Sequence, residues 1–268
     1  MSSYYQQIMQ SPDICDNDKY YWGYQYRLSK EVLVPYLVRA GAFRKGFKII
    51  EIGAAEGGVL MPFLESGASS AIGTDINERR LEVGREIAKI TALNIELFKH
   101  NIITEEIPEV LIEYADLVIL RDVIEHLDDT LLALNNIKKI IKKGGFLFVT
   151  FPPYHSPFGG HQHTVANKLG MLPYIHLLPN TIFDKFIKGG RENDIAEVMR
   201  LKSIRLTPEK FKIAAINSGY KIFLEEYYLL RPVFKMKFGL PAVKYPRFLT
   251  TGFVKKYLSL EAAYILYK

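Results

Sequence analysis

The sequence predicts an α/β fold built on a parallel sheet covered on both faces, and three observations carry that prediction. Short, nearly continuous apolar runs alternate with amphipathic charged segments, the pattern of strands buried on both faces by crossover helices. The first run, Lys48-Ile49-Ile50-Glu51-Ile52, breaks into small residues, Gly53-Ala54-Ala55-Glu56-Gly57-Gly58, and an amphipathic segment follows at once. A second run, Ala71-Ile72-Gly73-Thr74, ends in Asp75, 18 residues beyond Gly57. Strand, tight turn and helix N-terminus in that order form a ligand-binding unit. Glycine lets the backbone bend sharply and approach a ligand, and the amides of the next helix attract an anion such as a carboxylate. Glu51 can accept hydrogen bonds from a ligand ammonium. Asp75 is placed to hold ribose hydroxyls.

Taken in order, residues 1–27 are polar and aromatic, and Leu28 opens a helix running to about Ala40, with Ser29 as its N-cap and Gly41 as its end. Strand 47–52, helix 57–66, strand 69–75, helix 77–92 and strand 95–100 follow. Strand 115–121 leads into an amphipathic helix, 124–142, stopped by Lys142-Lys143-Gly144-Gly145. Phe146 to Phe151 is the fifth strand. The strand pattern then lapses: residues 152–205 are rich in Pro, Gly, His and aromatics and read as an inserted cap. Thr207-Pro208 restarts a helix as N-cap and first turn, Gly219 ends it, and 221–230 and 258–267 read as strands. The intervening loop, 231–251, is basic.

Residues 47–152 resemble the class I S-adenosylmethionine-dependent methyltransferases. The family's opening motif, an acid followed by alternate glycines, is matched by Glu51, Gly53, Ala55 and Gly57, with Ala55 replacing the middle glycine; Asp75 matches the ribose-binding acid. The resemblance implies a Rossmann-like, doubly wound, seven-stranded and mostly parallel sheet with an N-terminal helical lid and a cap after the fifth strand. It divides the chain into a lid segment (1–45), a cofactor-binding core (46–152), a cap insertion (153–205) and a C-terminal completion of the sheet (206–268). It implies S-adenosylmethionine as cofactor, contacted by Glu51, Gly53, Ala54, Ala55, Gly57, Asp75 and Ile76. Asn101 and Ile102 stand where relatives hold adenine, and Arg121, which ends the fourth strand, is a further cofactor-binding candidate. Arg27 is a candidate for the cofactor's methionine carboxylate, and the N-terminal aromatics are candidates for stacking on adenine or on an acceptor.

The bulk numbers frame the rest. A chain of 268 residues, 49% hydrophobic and 24% charged, has the composition of a globular α/β enzyme with additions. Its net charge of +6 permits a phosphate-bearing or membrane-surface partner. Cys15 is the single cysteine, which excludes an internal disulfide and a Cys-based zinc site. The start lacks the basic-then-apolar pattern of a signal peptide, and no apolar run reaches the ~20 residues of a membrane span. The expected location is the cytoplasm.

The chemistry concentrates at Arg121-Asp122-Val123-Ile124-Glu125-His126, at the carboxyl end of the fourth strand, where ligands bind in open α/β sheets. In a helix, Asp122, Glu125 and His126 would share one face, a credible divalent-metal site. Gly159-Gly160-His161-Gln162-His163 offers two more imidazoles. An acid-x-x-Glu-His segment here resembles small-RNA 3′-end methyltransferases and quinone-biosynthesis O-methyltransferases. That resemblance implies Mg, Mn or Zn on Asp122, Glu125 and His126, completed by His161 or His163. Without metal, His126, His161 and His163 would be catalytic general bases. Residues 151–163 resemble methyltransferases of surface-polysaccharide biosynthesis, which implies a sugar hydroxyl as acceptor, and Tyr154, His155 and Gln162 suit a hydroxyl-rich ligand. The reading is an O-methyltransferase of a sugar or other small hydroxylated acceptor. RNA 2′-O-methylation and a non-catalytic binding subunit are the alternatives; the chain shows no RNA-binding module, which disfavours nucleic acid. The basic loop 231–247 suits an anionic membrane surface or a lipid-linked substrate.

Overall fold

A computed structural model describes residues 3–268. Helices α1 (Ser3–Gln10), α2 (Asp16–Leu28) and α3 (Val34–Arg39) precede β1 (Lys48–Ile52). Then come α4 (Leu60–Glu65), β2 (Ser70–Asp75), α5 (Glu78–Thr91), β3 (Ile95–Lys99), β4 (Ala115–Arg121), α6 (Thr130–Ile140) and β5 (Ile141–Phe151). The cap carries α7 (Asn180–Ile187) and α8 (Glu192–Ile204). The chain closes with α9 (Pro208–Asn217), β6 (Lys221–Leu230), α10 (Val233–Phe238), β7 (Val243–Lys244) and β8 (Glu261–Tyr267). The sheet order is β3-β2-β1-β4-β5-β8-β6-β7, parallel through β5, with β8 antiparallel to both β5 and β6.

The apolar runs are continuous because each strand faces two cores. Ile49, Leu117, Ile119, Phe148 and Ile265 look to the side holding Trp22, Leu37 and Phe63. Their neighbours Ile50, Val118, Leu120, Leu147 and Leu266 look to the other, with Leu134, Ile137 and Phe211. Side chains alternate faces along a strand, so in the central strands β1 and β4 nearly every position is interior. A third, smaller cluster of Val165, Ile175, Phe183, Ile187 and Val198 belongs to the cap alone.

Four expectations change. The sheet has eight strands rather than seven, because Val243–Lys244 from the basic loop pairs with the edge of β6. Ser29 is no N-cap: helix α2 runs on through a π-helical turn, Ser29–Leu33, into α3, and the fully buried Ser29 hydroxyl donates to the Val59 carbonyl at 2.7 Å. Helix α6 starts at Thr130 on an Asp129 cap that accepts from the Leu132 amide, so residues 124–126 form only a 3₁₀ turn. Nor do Lys142–Gly145 stop that helix; they lie within β5, where the register with β4 shifts between Ile141 and Phe146. The Thr207 cap, accepting from the Lys210 amide, and the Gly219 turn stand as expected.

Helix α2 lies directly on the glycine turn. A Cβ on Gly58 would sit 2.8 Å from the Trp22 carbonyl oxygen and 2.9 Å from Gln25 Cβ, and the Trp22 ring is wholly buried. Helix α2 is therefore packed tightly against the turn. Gly58→Val is expected to cost about 1–3 kcal/mol by overpacking and Trp22→Ala about 3–5 kcal/mol, each read as a drop in the urea midpoint at unchanged slope.

Candidate active site

The turn after β1 is built for close approach. Gly53, Ala55 and Gly57 all have positive φ (76°, 50° and 72°), and a Cβ on Gly53 would lie 2.3 Å from Val123 Cγ2. Only glycine fits there. Ala54 is buried, its amide bonded to the Thr74 carbonyl at 3.0 Å. Asp75 is braced from two sides: Oδ2 accepts from the Ala55 amide and Oδ1 from the Asn77 amide, both at 2.9 Å. Two amides leave about half of a carboxylate's lone pairs for ribose hydroxyls.

Glu51 is 3% exposed and its Oε2 is buried without a partner. Burial pushes its carboxyl well above the ordinary range, against the pull of Arg121. A buried, unsatisfied acceptor needs a donor, and a ligand ammonium at the turn supplies one. The motif residues thus fit S-adenosylmethionine. Asn101 is more committed than its position implies, since its Oδ1 already accepts from the Ile103 and Thr104 amides. Ile102 is buried in the core and Ile76 is exposed.

Arg27 is not brought to this site. It turns along its own helix to Glu31 at 3.2 Å. Arg121 donates to Gln25 Oε1 at 2.7 Å and stands 3.7 Å from Asp122. It also opens a cavity of about 340 Å³, lined further by Tyr24, His161, Phe158, Phe234 and Phe238.

The acid-x-x-Glu-His segment divides its labour. Asp122 takes a left-handed conformation (φ 54°) and both its oxygens accept from Arg231 at 2.6 Å. The Arg231 charge, with Arg121, holds the carboxyl below its ordinary range despite burial. It is an ion-pair partner and stands apart from the ligand cluster. The groups brought together are Glu125, His126 and His161, whose ligand atoms all lie within 4.8 Å of one another. His163 packs edge-on against His161 with ring centroids 5.9 Å apart and lines the cavity, outside that cluster.

Within the cluster, both Glu125 carboxylate oxygens are buried without a hydrogen-bond partner. Burial raises the Glu125 carboxyl to about 7, opposed by His126. His161 Nε2 is 3.7 Å from Glu125 Oε1; burial, reinforced by the His126 and His163 charges, lowers its pKa to about 3, so it is a neutral imidazole. His126 Nδ1 is 2.6 Å from Glu197 Oε1. That pair raises the His126 pKa against the opposing effect of burial. Glu197, on α8 of the cap and held by Arg200, escaped sequence reasoning, because nothing in a surface-patterned helix announces a partner 71 residues away. Two of the three polar cap residues that suit a hydroxyl-rich ligand are engaged within the cap, while His155 Nδ1 is buried without a partner. The Gln162 amide donates to the Pro157 and Leu172 carbonyls, and the Tyr154 hydroxyl to the His176 carbonyl.

A buried carboxyl raised from 4.5 to about 7 binds its proton more tightly folded than unfolded. Its contribution is fully present below about 4.5 and is lost as pH rises through about 7. In chelator and without cofactor, wild-type stability is expected to fall relative to Glu125→Gln across that window, read by urea unfolding at several pH values. Parallel curves would overturn the assignment.

Comparison with known proteins identifies the family and the fold. A family model described as a methyltransferase domain matches residues 21–183. Two relatives are both named ubiquinone biosynthesis O-methyltransferase. The one from Rhizobium etli is 28% identical over 105 residues, 39% of this chain and 41% of its own length. The one from Pelagibacter ubique is 22% identical over 180 residues, 66% and 70% of the two chains. The match thus spans under half the length of the first relative. Among solved structures, an S-adenosylmethionine-dependent methyltransferase from Mesorhizobium loti superposes with TM-score 0.54 at 16% identity, over 86% of this chain and 95% of that one. The trans-methyltransferase CalH, in complex with SAH, superposes with TM-score 0.55 at 16% identity over 94% and 60%. These identities speak for the fold alone; the family match over residues 21–183, joined to the glycine turn and its two acids, shows that the chain belongs to the class I S-adenosylmethionine-dependent methyltransferases.

Proposed function

We propose that this methyltransferase acts on a hydroxyl oxygen, and that the acceptor occupies the cavity between Arg121, His161 and Phe238. The single observation that carries the proposal is Glu125, a buried carboxyl with two unpartnered oxygens set between two imidazoles. A hydroxyl is a poor nucleophile until its proton has somewhere to go. Glu125, raised to about 7, is a matched acceptor near neutral pH. His161 is neutral, lines the cavity and stands 3.7 Å from Glu125, so it can pass the proton inward. S-adenosylmethionine, when bound, supplies an electrophilic methyl on a sulfonium. What the protein adds is alignment of the oxygen with that methyl and removal of the proton.

The names of the two curated relatives support O-methylation. The cavity lining (Phe158, Met171, Val233, Phe234, Phe238 and Leu260) favours an acceptor with an apolar ring face over a free sugar. The finer, metal-assisted reading has its own support: Glu125, His126 and His161 are two imidazoles and a carboxylate, a donor set that suits Zn or Mn better than Mg. The carboxylate of Glu197 on the other nitrogen of His126 is the kind of outer partner that orients metal-bound histidines. A cation held there would lower the pKa of a hydroxyl bound to it.

Asp75→Ala is expected to weaken S-adenosylhomocysteine binding about tenfold or more, measured by calorimetry; unchanged affinity would remove Asp75 from the site. Glu125→Gln is expected to keep that affinity and slow transfer of a labelled methyl group to a catechol probe about a hundredfold. In chelator-stripped protein, recovery of transfer on adding Mn²⁺ supports the metal-assisted reading, and full transfer in chelator rejects it.

A further inference from the structure

The stretch from Arg231 to Leu260 contains seven Lys and Arg and no acid. It also carries the most exposed rings of the C-terminal part: Phe238, Phe248 and Phe253 are 65%, 81% and 63% exposed. Leu240, Val243 and Leu249 between them are exposed too. Single apolar residues on a surface mean little, but a concentration of them asks for a covering partner.

The C-terminal half of the stretch is tied together and to the cap. The Tyr245 hydroxyl donates to the Leu258 carbonyl, Phe253 packs on Tyr257, and the Tyr174 hydroxyl of the cap donates to the Tyr257 carbonyl. This face meets the acceptor cavity. Phe238 and Met171 both line the cavity, and both are about two-thirds exposed, so the mouth itself is an apolar rim. The charges are only partly spent within the protein. Lys235, Lys244 and Lys255 pair with Glu31, Glu226 and Glu225. Among the described residues, Arg247 and Lys256 have no carboxylate partner, and Lys237 lies over the Tyr24 ring at 4.4 Å.

We propose that this face docks on an anionic lipid bilayer, with Phe238, Phe248 and Phe253 entering the headgroup boundary and the cations meeting lipid phosphates. Neither feature suffices alone; stable attachment at an interface takes apolar insertion and electrostatic attraction together. A lipid surface also accounts for the exposed aliphatic Leu240, Val243 and Leu249 between the rings, which a nucleic acid would leave uncovered because bases stack on the rings alone. No helix among the described residues is long and apolar enough to cross a membrane, so the contact is a surface one. Resting on the acceptor assignment above, the same geometry lets an amphipathic acceptor pass from the bilayer into the cavity without crossing water.

The test is flotation of the full chain with phosphatidylcholine vesicles and with vesicles one-third phosphatidylglycerol. Binding to the anionic vesicles only, weakened by salt, is expected. Each cation near such a surface strengthens binding roughly fivefold, so Arg247→Glu with Lys256→Glu is expected to weaken it about twentyfold or more. Phe248→Ser with Phe253→Ser is expected to abolish it, while S-adenosylhomocysteine affinity in both variants stays at the wild-type value. That affinity also separates the two proposals, since a protein that binds vesicles but transfers no methyl group refutes only the acceptor reading. Failure to float, or equal binding to neutral vesicles, would overturn the docking. So would salt-dependent binding of a single-stranded RNA without vesicle binding, or a dimer lost in the same Phe variants without vesicle binding.

Discussion

Arg231 lies between two carboxylates, Asp122 at 2.6 Å and Glu261 at 3.0 Å, and that buried contact fixes the site. Asp122 follows the end of β4, Glu261 begins β8, and Arg231 itself follows the end of β6. One guanidinium therefore joins the parallel half of the sheet to its antiparallel completion. Its reach also explains why Asp122 can hold a left-handed backbone, a conformation that costs a non-glycine residue about 1–2 kcal/mol and persists only when the surroundings impose it. With that turn set, the chain leaves β4 so that Glu125 points inward and Val123 closes over Gly53. Losing the Arg231 charge would leave the buried Glu261 carboxylate unpaired, the costly way to break an ion pair.

The core was legible because its signals are local. A strand ending in Glu51, a run of residues that must adopt positive φ, and a second strand ending in Asp75 are each readable from a few neighbours. Caps such as Thr207 are equally local. What could not be read depends on contacts between distant segments. Ser29 looks like a helix start because serine favours caps, yet its hydroxyl is satisfied by Val59 across the packing interface. Asp122 looks like a ligand because of its spacing to Glu125, but an arginine 109 residues later claims it. Spacing also misleads when the element is misjudged: the one-face argument for Asp122, Glu125 and His126 assumed a helix, and the chain there is a turn. Glu125, His126 and His161 still converge, by fold rather than by period. Glycine spacing could not reveal the eighth strand either, since a two-residue pairing has no pattern of its own.

The cap links these two kinds of order. It has its own small core, and its α8 sends Glu197 to His126 and Arg200 to Asp128. The orientation of the His126 imidazole is thus set by an element outside the sheet. Residues 152–205 carried little readable sequence signal because their work is to position groups on other elements.

The π-helical turn at Ser29–Leu33 gives this protein a sensitivity that its hydrogen bonds do not reveal. One extra residue in that turn offsets the two helical segments it joins by about 100° of rotation. Upstream, that phase directs Tyr24 and Gln25 to the cavity; downstream, it directs Leu37 into the core. The two faces are in step only because of the insertion. Losing a single residue there would leave a smoother helix, with every side chain retained, whose N-terminal half presented the wrong meridian to the cofactor turn.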